Sequence, residues 1–323
     1  MSEFELIDIL KGKFSGHAQS CDYPAVLGIG DDAAVLSVPE GKQLVVSTDT
    51  LVSDVHFFAD TAASDIAAKS LAVSLSDLAS MGAEPAWFFL AISLPDIDLG
   101  WWEGFCDGLL QTAQDAKIDL AGGDTTRGPL SITITAMGLV DPGRALRRDG
   151  AQPGDLVFVS GTPGLAACAL RQRLAGNTAT ERAVNALNRP QARLALGKAL
   201  SGLATACIDV SDGLAADLGH LLAASGCGAE LFTRQLPRLD ELSHLDDDNR
   251  WAMQLGGGDD YELCFTLPGT CAGRLPALVE QAGTELHAIG KIVVGSGLKV
   301  LQDDGQEWTV PNSGFDHFRI QVN

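Results

Sequence analysis

Six short segments between residues 28 and 265 set carboxylates beside glycines or small polar residues, and they constrain the fold more than any other feature of the chain. They read GIGDDAAV (28–35), STDTLVSDVHF (47–57), SLSDLASMGA (74–83), GGDTTRG (122–128), IDVSDGL (208–214) and GGGDDYELCF (256–265). Carboxylates gathered at one place repel each other and any phosphate, so a shared site needs hard cations between them. Mg²⁺ fills that role because it takes oxygen ligands and binds through one or two carboxylates plus substrate phosphates. Segments so far apart in sequence can meet only through tertiary structure.

The length of 323 residues predicts two domains, and 46% hydrophobic with 20% charged residues fits a globular protein with a substantial core. Lys plus Arg total 22 against 42 Asp plus Glu, a formal charge of −20. That balance excludes non-specific nucleic-acid binding, which needs a positive surface. Anionic ligands stay open, since bound cations invert the local field. The seven cysteines are odd in number and form no CxxC pair, so they read as core thiols rather than a disulfide framework or zinc knuckle. The amphipathic, acidic N-terminus, MSEFELIDILKGKF, is unlike a signal peptide, and no run of eighteen apolar residues occurs. The expectation is a cytoplasmic protein without a membrane span.

Helical spacing covers residues 3–14, 64–81 and 99–117, while β-rich runs cover 25–29, 33–38, 43–47, 87–94, 118–121 and 130–140. A stretch rich in Gly, Pro and charge, DPGRALRRDGAQPGD at 141–155, marks the domain boundary, giving domains 1–145 and 146–323. In the second half, strands are expected at 156–160, 204–210, 261–267 and 286–292. Helices are expected from 165, from Pro190, and at 214–225 and 272–282. Alternating helices and strands predict an α/β (α+β) layer in both halves.

The GxGxxA at Gly28–Ala33 is a decoy. A dinucleotide loop must open a helix, whereas AAVLSV continues as a strand and Asp31 and Asp32 carry the wrong charge for a pyrophosphate. No GxxxxGK[ST] occurs either. Singly, each Asp has an ordinary use in a turn, a helix cap or a solvated face. Asp77 differs, because it lies in a helix among Leu71, Val73, Leu75, Leu78 and Met81, where a charge is at least partly buried. His56 has no partner at zinc-ligand spacing and reads equally as a structural histidine or a substrate contact. In GGDTTRG the glycines permit close backbone approach, Asp124 can hold a cation, and the loop can offer N–H groups to phosphate. Arg148 is either a phosphate clamp or a solvated linker residue.

On these residues the chain resembles the thiamine-monophosphate kinases, within the superfamily that includes aminoimidazole ribonucleotide synthetase and selenophosphate synthetase. The resemblance rests on GIGDD, STDTLV-x-x-VHF, LSDLASMGA, GGDTTRGP, ID-x-SDGL, DYELCF and a terminal GFDHF, and runs from Glu3-Phe4 to Phe318. It implies an N-terminal α/β domain with a mixed sheet that dimerises through that sheet, and a C-terminal α/β domain. It implies ATP-dependent phosphorylation of thiamine monophosphate to thiamine diphosphate with several Mg²⁺ ions. Asp31, Ser47, Thr48, Asp49, Asp77, Asp124, Asp209 and Asp212 fall on its metal positions. Gly123, Asp124, Arg148 and Ser211 fall on nucleotide positions, and His56, Glu262 and Phe315 on substrate positions.

Two departures stand out: Asp259 replaces a usual Glu, and Phe315 replaces a usual Trp or Tyr, which keeps stacking but loses a polar handle. The rivals are a sister synthetase, a metal-dependent phosphatase and a non-catalytic divalent-cation-binding protein. A selenophosphate synthetase is expected to carry a reactive Cys and a Lys ahead of the first acidic loop, and CDYPAVLG after Ser20 supplies no lysine.

Overall fold

The computed structural model describes residues 2–311 and Gly314, with Ala272 described by its backbone alone. It divides into two compact units. The first holds the residues up to Leu78 with Ala83–Ala145 and Asn188–Leu194; the second holds Ala79–Gly82, Leu146–Leu187 and the residues from Ala195 onward.

The first unit runs α1 (Glu3–Lys13), β1 (Gln43–Val52), α2 (Ala63–Ser80), β2 (Glu84–Leu94), α3 (Leu99–Ala116), β3 (Asp119–Arg127) and β4 (Ser131–Val140). Local chemistry fixes the helix ends. A Ser2–Glu5 capping box opens α1, and Asp98 caps α3 through the Trp101 N–H. Lys117 closes α3 in the left-handed conformation. The strands form a mixed sheet in the order β1-β4-β2-β3, with β2 and β3 parallel across the α3 connection. One face packs on helices. There α2 carries the buried Ile66, Leu71, Leu75 and Leu78, and the Trp102 indole of α3 donates to Leu6 O of α1 at 3.0 Å.

The second unit contains β5 (Leu156–Ser160), α4 (Leu165–Leu174), α5 (Glu181–Asn188), α6 (Leu194–Leu200), β6 (Ala206–Val210), α7 (Leu214–Ser225) and β7 (Gly228–Phe232). It continues with α8 (Asp247–Gly256), β8 (Glu262–Leu267), α9 (Leu275–Ala282), β9 (Leu286–Val293), β10 (Gly297–Leu301) and β11 (Glu307–Trp308). The sheet order is β11-β10-β7-β9-β5-β8-β6. Its core joins Val157, Val159, Ile208 and Val210 of the strands to Leu214, Leu218 and Leu221 of α7. Among the described residues, no helix is long and apolar enough to cross a membrane.

Four sequence expectations change, the first being the helix expected from Pro190, which starts only at Leu194. Residues 25–29 and 33–38 form no ladder, only the isolated bridges Leu27–Val35 and Ile29–Asp31, where Gly30 turns the chain at φ +124° beside the two exposed aspartates. The strand expected at 118–121 continues through GGDTTR to Arg127, so that motif is a sheet-edge strand rather than a loop. The helix expected at 272–282 starts at Leu275, after a 3₁₀ turn over Gly269–Arg274. The strands β7, β10 and β11 and the helices α5 and α8 escaped the sequence pattern.

Candidate functional site

In the first unit the acidic residues gather under β1. Successive strand residues point to opposite faces, so Ser47, Asp49 and the buried Leu51 face α2 while Thr48 and Thr50 face away. Ser47 Oγ donates to Asp77 of α2 in a short hydrogen bond, and Ser74 Oγ donates to Asp49 at 2.9 Å. Ser74 lies one helical turn before Asp77, which sets both over the same strand. Partial burial, and then the neighbouring Asp77 carboxylate, push Asp49 up to about 6. Asp77 itself is half-buried, as its apolar surroundings in the sequence required.

Sheet register decides where the other candidates stand. Asp49 pairs with Ile134, Ile134 with Leu90, and Leu90 with Gly123, so Gly123 shares the helix-facing side. Thr50 pairs with Thr133, Thr133 with Ala91, and Ala91 with Asp124, which puts the exposed Asp124 on the open face with Thr48. There Thr48 and Thr135 hydroxyls meet at 3.0 Å, and Thr50 and Thr133 at 2.8 Å. Three strand spacings of about 4.8 Å separate Asp49 from Gly123 across the sheet. The close approach of β3 to β2 explains the glycine: a Cβ on Gly123 would stand 1.8 Å from Leu90 O. Asp31 is exposed and accepts from the Asp32 N–H at 2.8 Å. His56 is half-buried in the turn after β1, with Nδ1 accepting from the Val52 N–H at 3.0 Å.

The second unit assembles its own acidic turn. Asp209 is buried at the end of β6, and Ser211 and Asp212 lead into α7. The Asp259 N–H donates to Ser211 O at 2.8 Å, and Gly258 lies so close that a Cβ would stand 2.5 Å from the same oxygen. Asp217, not singled out by sequence, is the organiser. Its buried carboxylate accepts from the N–H groups of Ser211, Asp212 and Gly213 at 3.0, 3.0 and 3.2 Å. Burial, and then Asp212, raise it to about 6. Its sequence signal is an acidic residue in the first turn of a helix, directly after SDG. Glu262 is buried as well, accepting from Ser160 Oγ at 2.5 Å and from the Thr162 N–H at 3.4 Å, so its carboxylate ties down the 160–162 turn. Arg148 is exposed, and its carbonyl accepts from Ser225 Oγ at 2.7 Å. Phe315 lies outside the described residues.

In neither unit do three Asp, Glu, His or Cys side chains converge on one point, among the described residues. The donor set around Asp49 and Asp77 nonetheless fits a hard cation. Its ligating atoms are carboxylate and hydroxyl oxygens, and two like charges stand within hydrogen-bonding reach of each other.

Known proteins match this chain over its length. Residues 30–140 match the family model for the AIR synthase related protein, N-terminal domain, and residues 152–303 match that for its C-terminal domain. The thiamine-monophosphate kinase of Salmonella typhimurium is 44% identical over 325 residues, covering 98% of each chain. That of Bacillus subtilis is 33% identical over 339 residues, covering 99% of this chain and 100% of its own. The crystal structure of thiamine-monophosphate kinase from Stenotrophomonas maltophilia K279a aligns with a TM-score of 0.86 at 47% identity, covering 95% of this chain and 98% of that one. AaThiL complexed with AMPPCP and TMP aligns at 0.75 with 29% identity, covering 98% and 97%.

Proposed function

Because this chain belongs to the AIR synthase related family and, within it, to the thiamine-monophosphate kinases, we infer that it phosphorylates thiamine monophosphate with ATP to give thiamine diphosphate. Identity of 44% sustained over 98% of both chains carries this reading. The acceptor is a phosphate monoester, already anionic near neutral pH, so no side chain has to remove its proton. Repulsion between two phosphate groups opposes the reaction, which leaves positioning and charge neutralisation as the protein's task.

Ser47, Asp49 and Asp77 are the residues we assign to one Mg²⁺. Thr48 and Asp124 on the other face of the sheet, Asp31 in the preceding turn, and Asp209 and Asp212 in the second unit are assigned to further Mg²⁺ ions. When bound, Mg²⁺ neutralises the charge of the phosphates that the reaction brings together. Gly123, Asp124, Arg148 and Ser211 are assigned to the nucleotide. His56, Glu262 and Phe315 are assigned to the acceptor, where His56 can donate from Nε2 to a phosphate oxygen. We read the transfer as direct and in line, without a phosphoenzyme. The decisive assay combines purified protein, ATP, Mg²⁺ and thiamine monophosphate and follows thiamine diphosphate chromatographically. ATP consumption that proceeds equally without the acceptor, or phosphate released only to water, would refute the kinase reading.

Two further outcomes follow from this assignment. Phe315→Ala should weaken thiamine monophosphate binding about ten- to hundredfold, the range of losing one aromatic stacking partner, and leave ATP affinity unchanged. Paired calorimetric titrations check this, and equal losses for both ligands would place Phe315 in a structural role. The protein should also be a homodimer joined through the open face of the first sheet. Leu44 and Val46 are 43% and 52% exposed there, beside the threonine pairs of β1 and β4. Light scattering at micromolar concentration should return twice the chain mass, and a monomer would count against it.

A further inference from the structure

The turn after β1 is fixed from beneath by one buried ammonium group. Within the turn, the His56 N–H donates to Val52 O at 3.0 Å and the Asp54 N–H donates to Phe57 O at 2.8 Å. Asp54 sits at φ +61°, a conformation that residues other than glycine seldom adopt. Aspartate enters it more readily than most side chains, and the turn's own hydrogen bonds hold it there. Lys69 of α2 braces the same turn two residues on: it is 2% exposed, and Nζ donates to His56 O at 2.9 Å.

Burying an ammonium is costly, and for stability alone an apolar side chain of similar volume serves as well or better. What the ammonium adds is direction. It holds the His56 backbone by its carbonyl, while the Val52 N–H holds the ring by Nδ1. Since Nδ1 accepts, the ring proton stands on Nε2 and the neutral imidazole presents an N–H. We propose that Lys69 is a positioning residue for the phosphoryl-transfer site, clamping the 52–57 turn so that the His56 Nε2–H is held for an oxygen of the acceptor phosphate. This rests on the reading of His56 as an acceptor contact.

Lys69→Met keeps the length of the side chain and removes the ammonium. KM for thiamine monophosphate should rise by up to about 100-fold, the scale of misplacing a positioning group by about 1 Å, while KM for ATP stays the same. His56→Ala combined with Lys69→Met should be no worse than His56→Ala alone, because the lysine acts through the histidine. Nitrogen NMR of the imidazole adds a readout independent of turnover: the Nε2–H tautomer in the parent protein, and exchange between tautomers in Lys69→Met. If Lys69→Met does not fold, Lys69→Arg keeps the charge with a different reach and should still raise KM for thiamine monophosphate alone. Equal rises in both KM values, additive losses in the double variant, or an unchanged His56 tautomer in a folded variant would overturn the proposal. A parent protein inactive toward thiamine monophosphate would instead refute the kinase reading, and the tautomer shift would remain measurable.

Discussion

Asp49→Asn should lower the rate of thiamine diphosphate formation by about 10²–10³-fold, the loss typical of removing one group that stabilises developing charge. The substitution is nearly isosteric, so the Ser74 hydroxyl keeps an oxygen to donate to and β1 keeps its register with β4. What disappears is one of two adjacent carboxylates, and with it half of the negative charge that would hold Mg²⁺ at this end of β1. The effect should be steepest at limiting Mg²⁺ and should soften as Mg²⁺ is raised. The unfolding temperature should not fall, since relief of the repulsion from Asp77 offsets any weakened hydrogen bond. Asp124→Asn, on the opposite face, should cause a comparable loss, with the fold intact. Parent-like rates for both variants at limiting Mg²⁺ would sink the metal assignment.

Gly123→Ala should be the most damaging small substitution in the first unit. The new methyl would stand 1.8 Å from Leu90 O and 2.8 Å from Leu90 C, so the obstacle is the backbone of the neighbouring strand. A flexible side chain could turn aside, whereas β2 is held between β4 and β3. Relief therefore means parting β3 from β2, at a cost near the upper end of overpacking, about 3 kcal/mol. Asp124 is the next residue, so ATP affinity should fall together with stability. Gly219→Ala is the control: it lies within α7, and a Cβ there meets nothing within 4 Å. Replacing a helical glycine at such a position should stabilise by about 0.5–1 kcal/mol. Chemical denaturation of the three proteins gives both signs at once. A parent-like midpoint for Gly123→Ala would show that the β2–β3 approach is looser than the structure describes.

The local setting of several candidate residues was legible in the chain, residue by residue. The helical period around Asp77 put a carboxylate among leucines and required partial burial, which the structure shows. The same period could not reveal Ser74 or Lys69 as partners, because a serine or lysine in a helix carries no mark of what lies opposite it. Asp217 escaped for a related reason: a first-turn acid usually interacts with its own helix, and here it also gathers the turn before it. GGDTTRG looked like a loop because glycine and threonine beside Asp124 satisfy turn chemistry. Pairing with β2 overrode that local preference.

The sequence by itself determined the acidic residue types, most helix boundaries, the two-part organisation and a family signature spread along the chain. Those are properties of a residue and its near neighbours, and periodicity or capping chemistry reports them. Only the tertiary structure decided that Asp49 and Gly123 share one face of the sheet while Thr48 and Asp124 share the other. Alternation within a strand orders the side chains of that strand, but the face assigned to a neighbouring strand depends on register. Register is fixed by hydrogen bonds between segments distant in sequence, and a shift of one residue would have exchanged the two faces.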